Sequence, residues 1–225
     1  MTQAFDKLKK SIISCEKCPR LRRHCEAIAR EKKKAYLDEE YWGKPIPGFG
    51  DAKARLVIVG LAPAAHGANR TGRIFTGDRS GEWLYRALHD AGFANQAEST
   101  GRDDGLKLNE AWVTCGVRCA PPENKPTPKE FENCRPFLHA ELDLLKHARV
   151  YLALGSLALK SIETYLKERG DFSHPLKFAH GASVKLPSGR LLLCSFHPSQ
   201  QNTFTGRLTR PMFDSIFSEA ARFLI

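Results

Sequence analysis

No run of apolar residues in this chain comes near the ~20 needed to cross a bilayer. The longest, Leu56 to Ala65 and Val150 to Leu154, fall far short. Met1 to Lys10 is charged and lacks the apolar stretch of a secretory signal. The expected location is therefore the cytoplasm, with no membrane partner. The seven cysteines are an odd number, and without an export signal a disulfide framework is not expected. There is no internal repeat and no low-complexity tract, and no lysine at the spacing of a nucleotide-binding P-loop.

What remains is an ordinary soluble composition, 42% hydrophobic and 27% charged, over 225 residues. That length suits one domain, residues 1–225, with residues 1–53 as an N-terminal extension. The net charge of +10 and a pI near 9.4 favour approach to polyanions, because basic side chains release counterions on meeting phosphates.

After a Lys/Arg-rich helical start, Lys44 to Gly50 is too rich in Pro and Gly to continue a helix and reads as an ordered loop. The body then alternates. Leu56 to Gly60, Ala111 to Val117 and Val150 to Leu154 read as buried strands, and Val184 to Leu186 with Leu191 to Phe196 as a hairpin around Pro187-Ser188-Gly189. Helices are expected over Glu82 to Gly92, Pro128 to Lys146, Leu157 to Lys167 and Met212 to Leu224, and residues 97–109 as a surface loop. Near-continuous apolar strands between helices predict an α/β fold: a three-layer α/β/α sandwich on a mainly parallel sheet of about four strands. Ligands in such sheets bind beyond the carboxyl ends of the strands, and the unusual residues cluster there.

Cys15 and Cys18 are spaced so that two thiolates reach one centre from a single turn, and Cys119 and Cys134 could close a four-ligand site. The wide second spacing fits a cluster better than a single zinc ion; incidental cysteines are the alternative. Cys194 lies in an apolar strand and reads as core.

Two loops carry candidate chemistry. Gly60 to Asp78 leaves a strand and enters a helix, and its glycines permit close backbone approach to a ligand. Phe75 offers a stacking face or a core side chain. Asp78 is placed to activate water or to cap the next helix. His197 to Thr209 begins with a histidine at a strand end, able to donate to a carbonyl or a developing anion. The polar tract behind it is suited to phosphates and a duplex groove, or is a solvated turn.

Together these residues resemble the uracil-DNA glycosylase superfamily, most closely its family 5 (the UDGb type). The two loops look like that family's signature motifs, and Cys15, Cys18, Cys119 and Cys134 are similar to its 4Fe-4S cluster ligands. The resemblance implies hydrolysis of the N-glycosidic bond of uracil, or of other deaminated bases, in DNA to leave an abasic site. The chain would act as a monomer on a base flipped out of the duplex. The base would be gripped between Phe75 and His197, with Ala62, Pro63, Ala64, His66 and Cys115 lining the pocket. His197 would stabilise the departing base, and Asp78 would activate water. Arg70, Arg73, Ser199, Gln200, Gln201, Asn202 and Arg207 are the expected DNA contacts.

One departure matters. Where related glycosylases often carry a base-reading asparagine, four residues before the third cluster cysteine, this chain has Cys115. A thiol is a weak hydrogen-bonding group, so broader or weaker base recognition is expected. The competing readings are a catalytically weak damage-binding protein on the same fold and a zinc-stabilised hydrolase of free nucleosides.

Overall fold

The computed structural model describes residues 2–172 and 174–225. Met1, where the expected extension begins, lies outside them. The chain opens with helices α1 (Thr2–Ile13) and α2 (Pro19–Glu31), then strands β1 (Phe49–Gly50) and β2 (Leu56–Gly60). Helices α3 (Ala68–Thr71) and α4 (Arg79–Asp90) follow, then β3 (Ala111–Cys115) and α5 (Pro128–Leu144). Next come β4 (Val150–Leu154), α6 (Ser156–Glu168), β5 (Ser183–Lys185) and β6 (Leu191–Ser195). Short α7 (Gln200–Phe204) and long α8 (Arg210–Leu224) close the chain.

The strands form one sheet in the order β1-β3-β2-β4-β6-β5. Its centre is the expected parallel set: β2 pairs in parallel with both β3 and β4, and β4 with β6. The sheet is six-stranded, two more than the expected four at its centre, because β1 and β5 add antiparallel edges. β1 corrects the reading of residues 44–50 as loop alone: Phe49 and Gly50 pair with Val113 and Trp112.

Alternate strand residues point to opposite faces, which is why these runs are apolar throughout. Leu56 and Ile58 join Leu152 and Leu193 beneath α4 and α8, where Leu84, Leu88, Phe213 and Phe217 pack. Val57 and Val59 join Tyr151 and Leu192 on the other face, beneath Leu138 and Leu142 of α5 and Ile162 and Leu166 of α6. Helix α5 starts where Pro128 and the Thr127–Glu130 capping box satisfy its first amides. No described helix is long and apolar enough to cross a membrane.

A fully buried ion pair fixes the chain beyond β3. Arg118 meets Glu141 at 2.8 Å, and Glu141 also accepts from Gly48 N (2.8 Å). One carboxylate thereby ties α5, the exit of β3 and the segment leading to β1.

Candidate active site and cysteine pocket

The loops after β2 and β6 meet at the carboxyl ends of the central strands and enclose a cavity of about 610 Å3. Leu61, Ala62, Pro63, Ala64, Phe75 and Asp78 line it from the first loop, and His197, Ser199, Gln200 and Gln201 from the second.

Phe75 stands in a left-handed backbone conformation, φ 53°, that a bulky side chain rarely adopts. Its ring lies over Gly60, where a Cβ would come within 2.7 Å of Cζ. Neighbours on both sides of Phe75 hold the turn. Tyr85 Oη donates to Ile74 O at 2.8 Å, and Thr76 Oγ1 pairs with Ser99 Oγ at 2.7 Å.

His197 faces Phe75 with ring centroids 5.7 Å apart and planes 30° apart. That is the spacing of two rings in contact, so no base fits between them. This corrects the expected grip: the two rings lie against one another on the same side of the cavity. Burial pushes the imidazole down to about 4, so at neutral pH it is uncharged and carries one N–H. Asn202 Nδ2 donates to the His197 carbonyl at 2.8 Å and fixes the loop. One donor of that half-exposed amide is engaged inside the loop. Ser199 caps α7, accepting from Asn202 N at 3.3 Å.

Asp78 combines its two expected positions. Its Oδ1 accepts from Gly81 N at 3.0 Å as the cap of α4, and the carboxylate also lines the cavity. Burial raises its proton affinity, opposed by the amides of Gly81 and Ser80. The close fit of Asp78 requires glycine at 67, where a Cβ would lie 2.1 Å from Oδ2.

Four expected site residues are placed elsewhere. Arg73 is buried, bonded to Asp104 at 2.8 and 2.5 Å and to Ser99 and Thr76. Arg70 is buried against Glu39 and the carbonyls of His66 and Gly77. Neither reaches DNA, because carboxylates and carbonyls inside the protein already occupy their donors. His66 Nδ1 lies 3.0 Å from Tyr41 Oη, facing the N-terminal extension and not the cavity. Cys115 is buried in the cluster that contains Phe75, and its Sγ donates to Val117 O at 3.0 Å. It does not line the cavity, and burial pushes its thiol up to about 12.

The sequence reading missed Arg79, Ser80, Glu123 and Asn124 at the cavity mouth. Arg79 Nε donates to Thr203 Oγ1 at 3.3 Å, and its guanidinium stacks 4.4 Å above Phe204. Phe204 is 68% exposed, an aromatic ring presented to solvent beside the cavity. Arg207 is exposed, with its guanidinium 4.6 Å from the Phe196 ring.

The cysteines gather at a second place. Cys18, Cys119 and Cys134 are buried in one small cluster with Leu21, Cys25 and Val117, and Cys15 is half-buried beside them. None of the seven cysteines is in a disulfide. Asn133 Nδ2 donates to Cys18 Sγ at 3.4 Å, and Cys25, in the same cluster as Cys119, donates from Sγ to Ala120 O at 3.6 Å. Burial pushes the thiols of Cys18 and Cys134 up, Cys134 to about 12. The Cys25 contact and burial do the same for Cys119. Thiols so placed ionise readily only against a bound cation. Among the described residues no group of three or more ligands is close enough to hold one metal ion. Cysteine thiolates are the donors of iron–sulfur clusters and of structural zinc alike, and Cys18, Cys119 and Cys134 come together in this one pocket.

The structure is thus a three-layer α/β sandwich with a cavity at the strand ends, lined by an aromatic ring, a neutral imidazole and a half-buried carboxylate. The sequence profile of the uracil DNA glycosylase superfamily matches residues 47–221, and the chain belongs to that superfamily. Within it, the chain is similar to Type-5 uracil-DNA glycosylases. It is 50% identical to that of Thermus thermophilus over 94% of both chains. It is 50% identical to that of Mycobacterium bovis, over 94% of this chain and 78% of the relative. With that of Mycobacterium leprae it shares 49% identity over 97% and 95%.

Proposed function

We propose that this chain is a uracil-DNA glycosylase that hydrolyses the bond between uracil and deoxyribose in DNA and leaves an abasic site. One observation carries the proposal: Phe75, His197 and Asp78 converge on a single cavity at the strand ends, in a chain half identical to Type-5 uracil-DNA glycosylases.

The target nucleotide leaves the duplex at a cost of a few kcal/mol, offset by contacts in the cavity. Phe75 stacks on the base while the backbone of residues 61–64 approaches its edges. The neutral His197 donates to the base as negative charge builds on it, a role that a charged imidazolium would fill at a greater desolvation cost. The sugar becomes oxocarbenium-like, and Asp78 orients a water towards it. Its raised proton affinity makes it a better base than an exposed aspartate. The net charge of +10 and the exposed Arg207, Gln200 and Gln201 serve the phosphates.

With Cys115 turned into the core, the residue at that position does not read the base, and Asn124 is the one asparagine among the residues lining the cavity. Recognition then rests on backbone groups, His197 and Asn124, and other deaminated bases are substrates too. Cys15, Cys18, Cys119 and Cys134 are the residues proposed to hold a 4Fe-4S cluster. When bound, the cluster supplies a cross-link between the N-terminal extension and the segment after β3, and no part of the hydrolysis.

The test is a panel of duplexes, each with one altered base, incubated with purified holoprotein and then treated with alkali. Strand cleavage at uracil is expected, with weaker cleavage at hypoxanthine. Binding without cleavage on every duplex would make the protein a damage-binding one instead.

A further inference from the structure

His197 carries a central donor of the proposed site, yet it lies beyond the end of β6, where strand pairing no longer holds the backbone. On the β4 side the pairing closes with Gly155 N donating to Ser195 O at 2.9 Å. On the other side β5 runs antiparallel, with Ser183 opposite Leu193. Continued in that register, the ladder would bring the backbone of His180 opposite Phe196. It does not continue. Gly181, at φ 74°, turns the chain, and its N–H goes to Cys194 O at 2.9 Å. The amide of Phe196, immediately before His197, therefore has no backbone partner among the described residues.

The side chain of His180 takes the vacated place. Its Nδ1 accepts from Phe196 N at 3.2 Å, and its Nε2 lies 3.2 Å from Met212 O in the first turn of α8. An amide can only donate and a carbonyl can only accept, so the ring is the neutral tautomer with its proton on Nε2. The other tautomer would set two donors face to face at Phe196 and two acceptors face to face at Met212. Burial lowers the proton affinity of this imidazole, which favours the neutral form.

Neighbouring contacts extend the same restraint towards the cavity. The His180 and Phe196 rings are in contact, with centroids 5.2 Å apart. Ser195 Oγ donates to Phe196 O at 2.9 Å, and Asn202 Nδ2 to His197 O at 2.8 Å. The peptide units on both sides of His197 are thus tied to side chains. His180 itself does not line the cavity.

We propose that His180 is a positioning residue for base excision: its Nδ1 holds the Phe196 amide and thereby aims the His197 imidazole into the Phe75 cavity. This rests on the proposed function, in which His197 donates to the departing base.

Two substitutions separate the two halves of the ring. Asn carries Oδ1 as many bonds from Cα as Nδ1 is, so His180→Asn keeps an acceptor for Phe196 and gives up Met212. Gln carries Nε2 where the ring has its own, so His180→Gln keeps the donor to Met212 and gives up Phe196. Single-turnover excision from a uracil duplex should fall about tenfold or more in His180→Gln and stay within about threefold of wild type in His180→Asn. Affinity for the duplex should stay within about threefold in both, because the phosphate contacts are untouched. A side chain that only stabilised the fold would instead give rates that follow the melting temperatures of the two variants.

Nitrogen NMR of histidine-labelled holoprotein reads the same contact without catalysis. His180 should show the Nε2–H tautomer, and the His197 ring resonances should move in His180→Gln but hold in His180→Asn. A proton on Nδ1 of His180 in the wild type overturns the proposal. So do equal excision rates in the two variants, or His197 resonances that move equally in both. The wild-type tautomer needs no variant, so the test stands even where one of them folds poorly. A wild-type protein that leaves uracil in place removes the excision reading, and the His197 resonances then decide the anchoring on their own.

Discussion

His197→Ala separates catalysis from binding more sharply than any other change at this site. The imidazole sits at the end of β6 with its carbonyl anchored by Asn202 (2.8 Å), so its direction is fixed before substrate arrives. Its proton affinity is pushed down to about 4 by burial, so between about pH 5 and 8 it stays neutral with one N–H to donate. Charge grows on the base only as the glycosidic bond breaks, so this donor acts mainly in the transition state. Removing such a donor costs about 3–4 kcal/mol, or roughly 10²–10³-fold in rate. Single-turnover excision should fall by that factor, while affinity for a duplex carrying a non-hydrolysable deoxyuridine analogue stays within about threefold. A second readout follows from linkage. The unfolded histidine takes up a proton near pH 6.5, but the folded one does so only near 4. Stability is therefore lost as pH falls through that window. Thermal stability of His197→Ala should accordingly drop less than that of the wild type between pH 7 and 5. A rate loss under tenfold, an equal loss of affinity, or a wild-type rate profile breaking near pH 6.5 would each refute the reasoning.

Asp78→Asn should lower single-turnover excision about 10²-fold yet preserve the cap on Gly81. Because the folded carboxyl has a raised proton affinity, its ionisation opposes folding as pH rises through the folded value. Asp78→Asn should thus match or exceed the wild-type melting temperature at pH 7.5, whereas Asp78→Ala should lose about 1 kcal/mol with the cap. Arg207→Ala should weaken duplex binding uniformly and reduce the salt slope by about one, measured by anisotropy titrations at several salt concentrations. Arg73→Ala should act on stability, by about 3 kcal/mol in urea unfolding, because Asp104 is left without its partner. Cys119→Ala should abolish the visible absorbance and the iron content of the purified protein and lower its melting temperature.

The four central strands were legible because both faces of each are covered, which writes itself into the sequence as unbroken apolar runs. β1 was not, since two residues inside a Pro/Gly stretch carry no periodicity and pair only because β3 leaves an open edge. α3 and α7 were hidden for a related reason: four- and five-residue helices inside polar loops have no apolar stripe. Ser199 ahead of Gln200 and Gln201 was the available cue, as a serine cap. Both signature loops were visible as loops, and Ala62, Phe75, Asp78 and His197 do line one cavity. Charge misled where its partner was distant in the chain. Arg70 and Arg73 read as phosphate contacts because Glu39 and Asp104 are each 31 residues away from the arginine they neutralise. Glu123 and Asn124 escaped notice because after Pro121-Pro122 they look like ordinary turn residues, and only the fold brings that turn to the cavity mouth.

Those internal arginines have a reason to be where they are. A phenylalanine at φ 53° costs about 1–3 kcal/mol and persists only where its surroundings over-determine it. Arg73, two residues before Phe75, is clamped by Asp104 and Ser99 from the 97–109 loop. Thr76, one residue after, is tied to the same Ser99 and to Arg73 itself. Arg70 grips Gly77 O, and Asp78 caps α4 immediately beyond. Every residue flanking the strained position is thus bonded to something outside the turn, and the ring has no cheaper conformation to relax into. An unstrained turn would free both arginines for phosphate contact, at the expense of a stacking face held in place over Gly60. In this protein the buried arginines beside Phe75 serve to aim its ring, and under the proposed function contact with the duplex would fall to Arg79, Arg207 and the outer residues of the second loop.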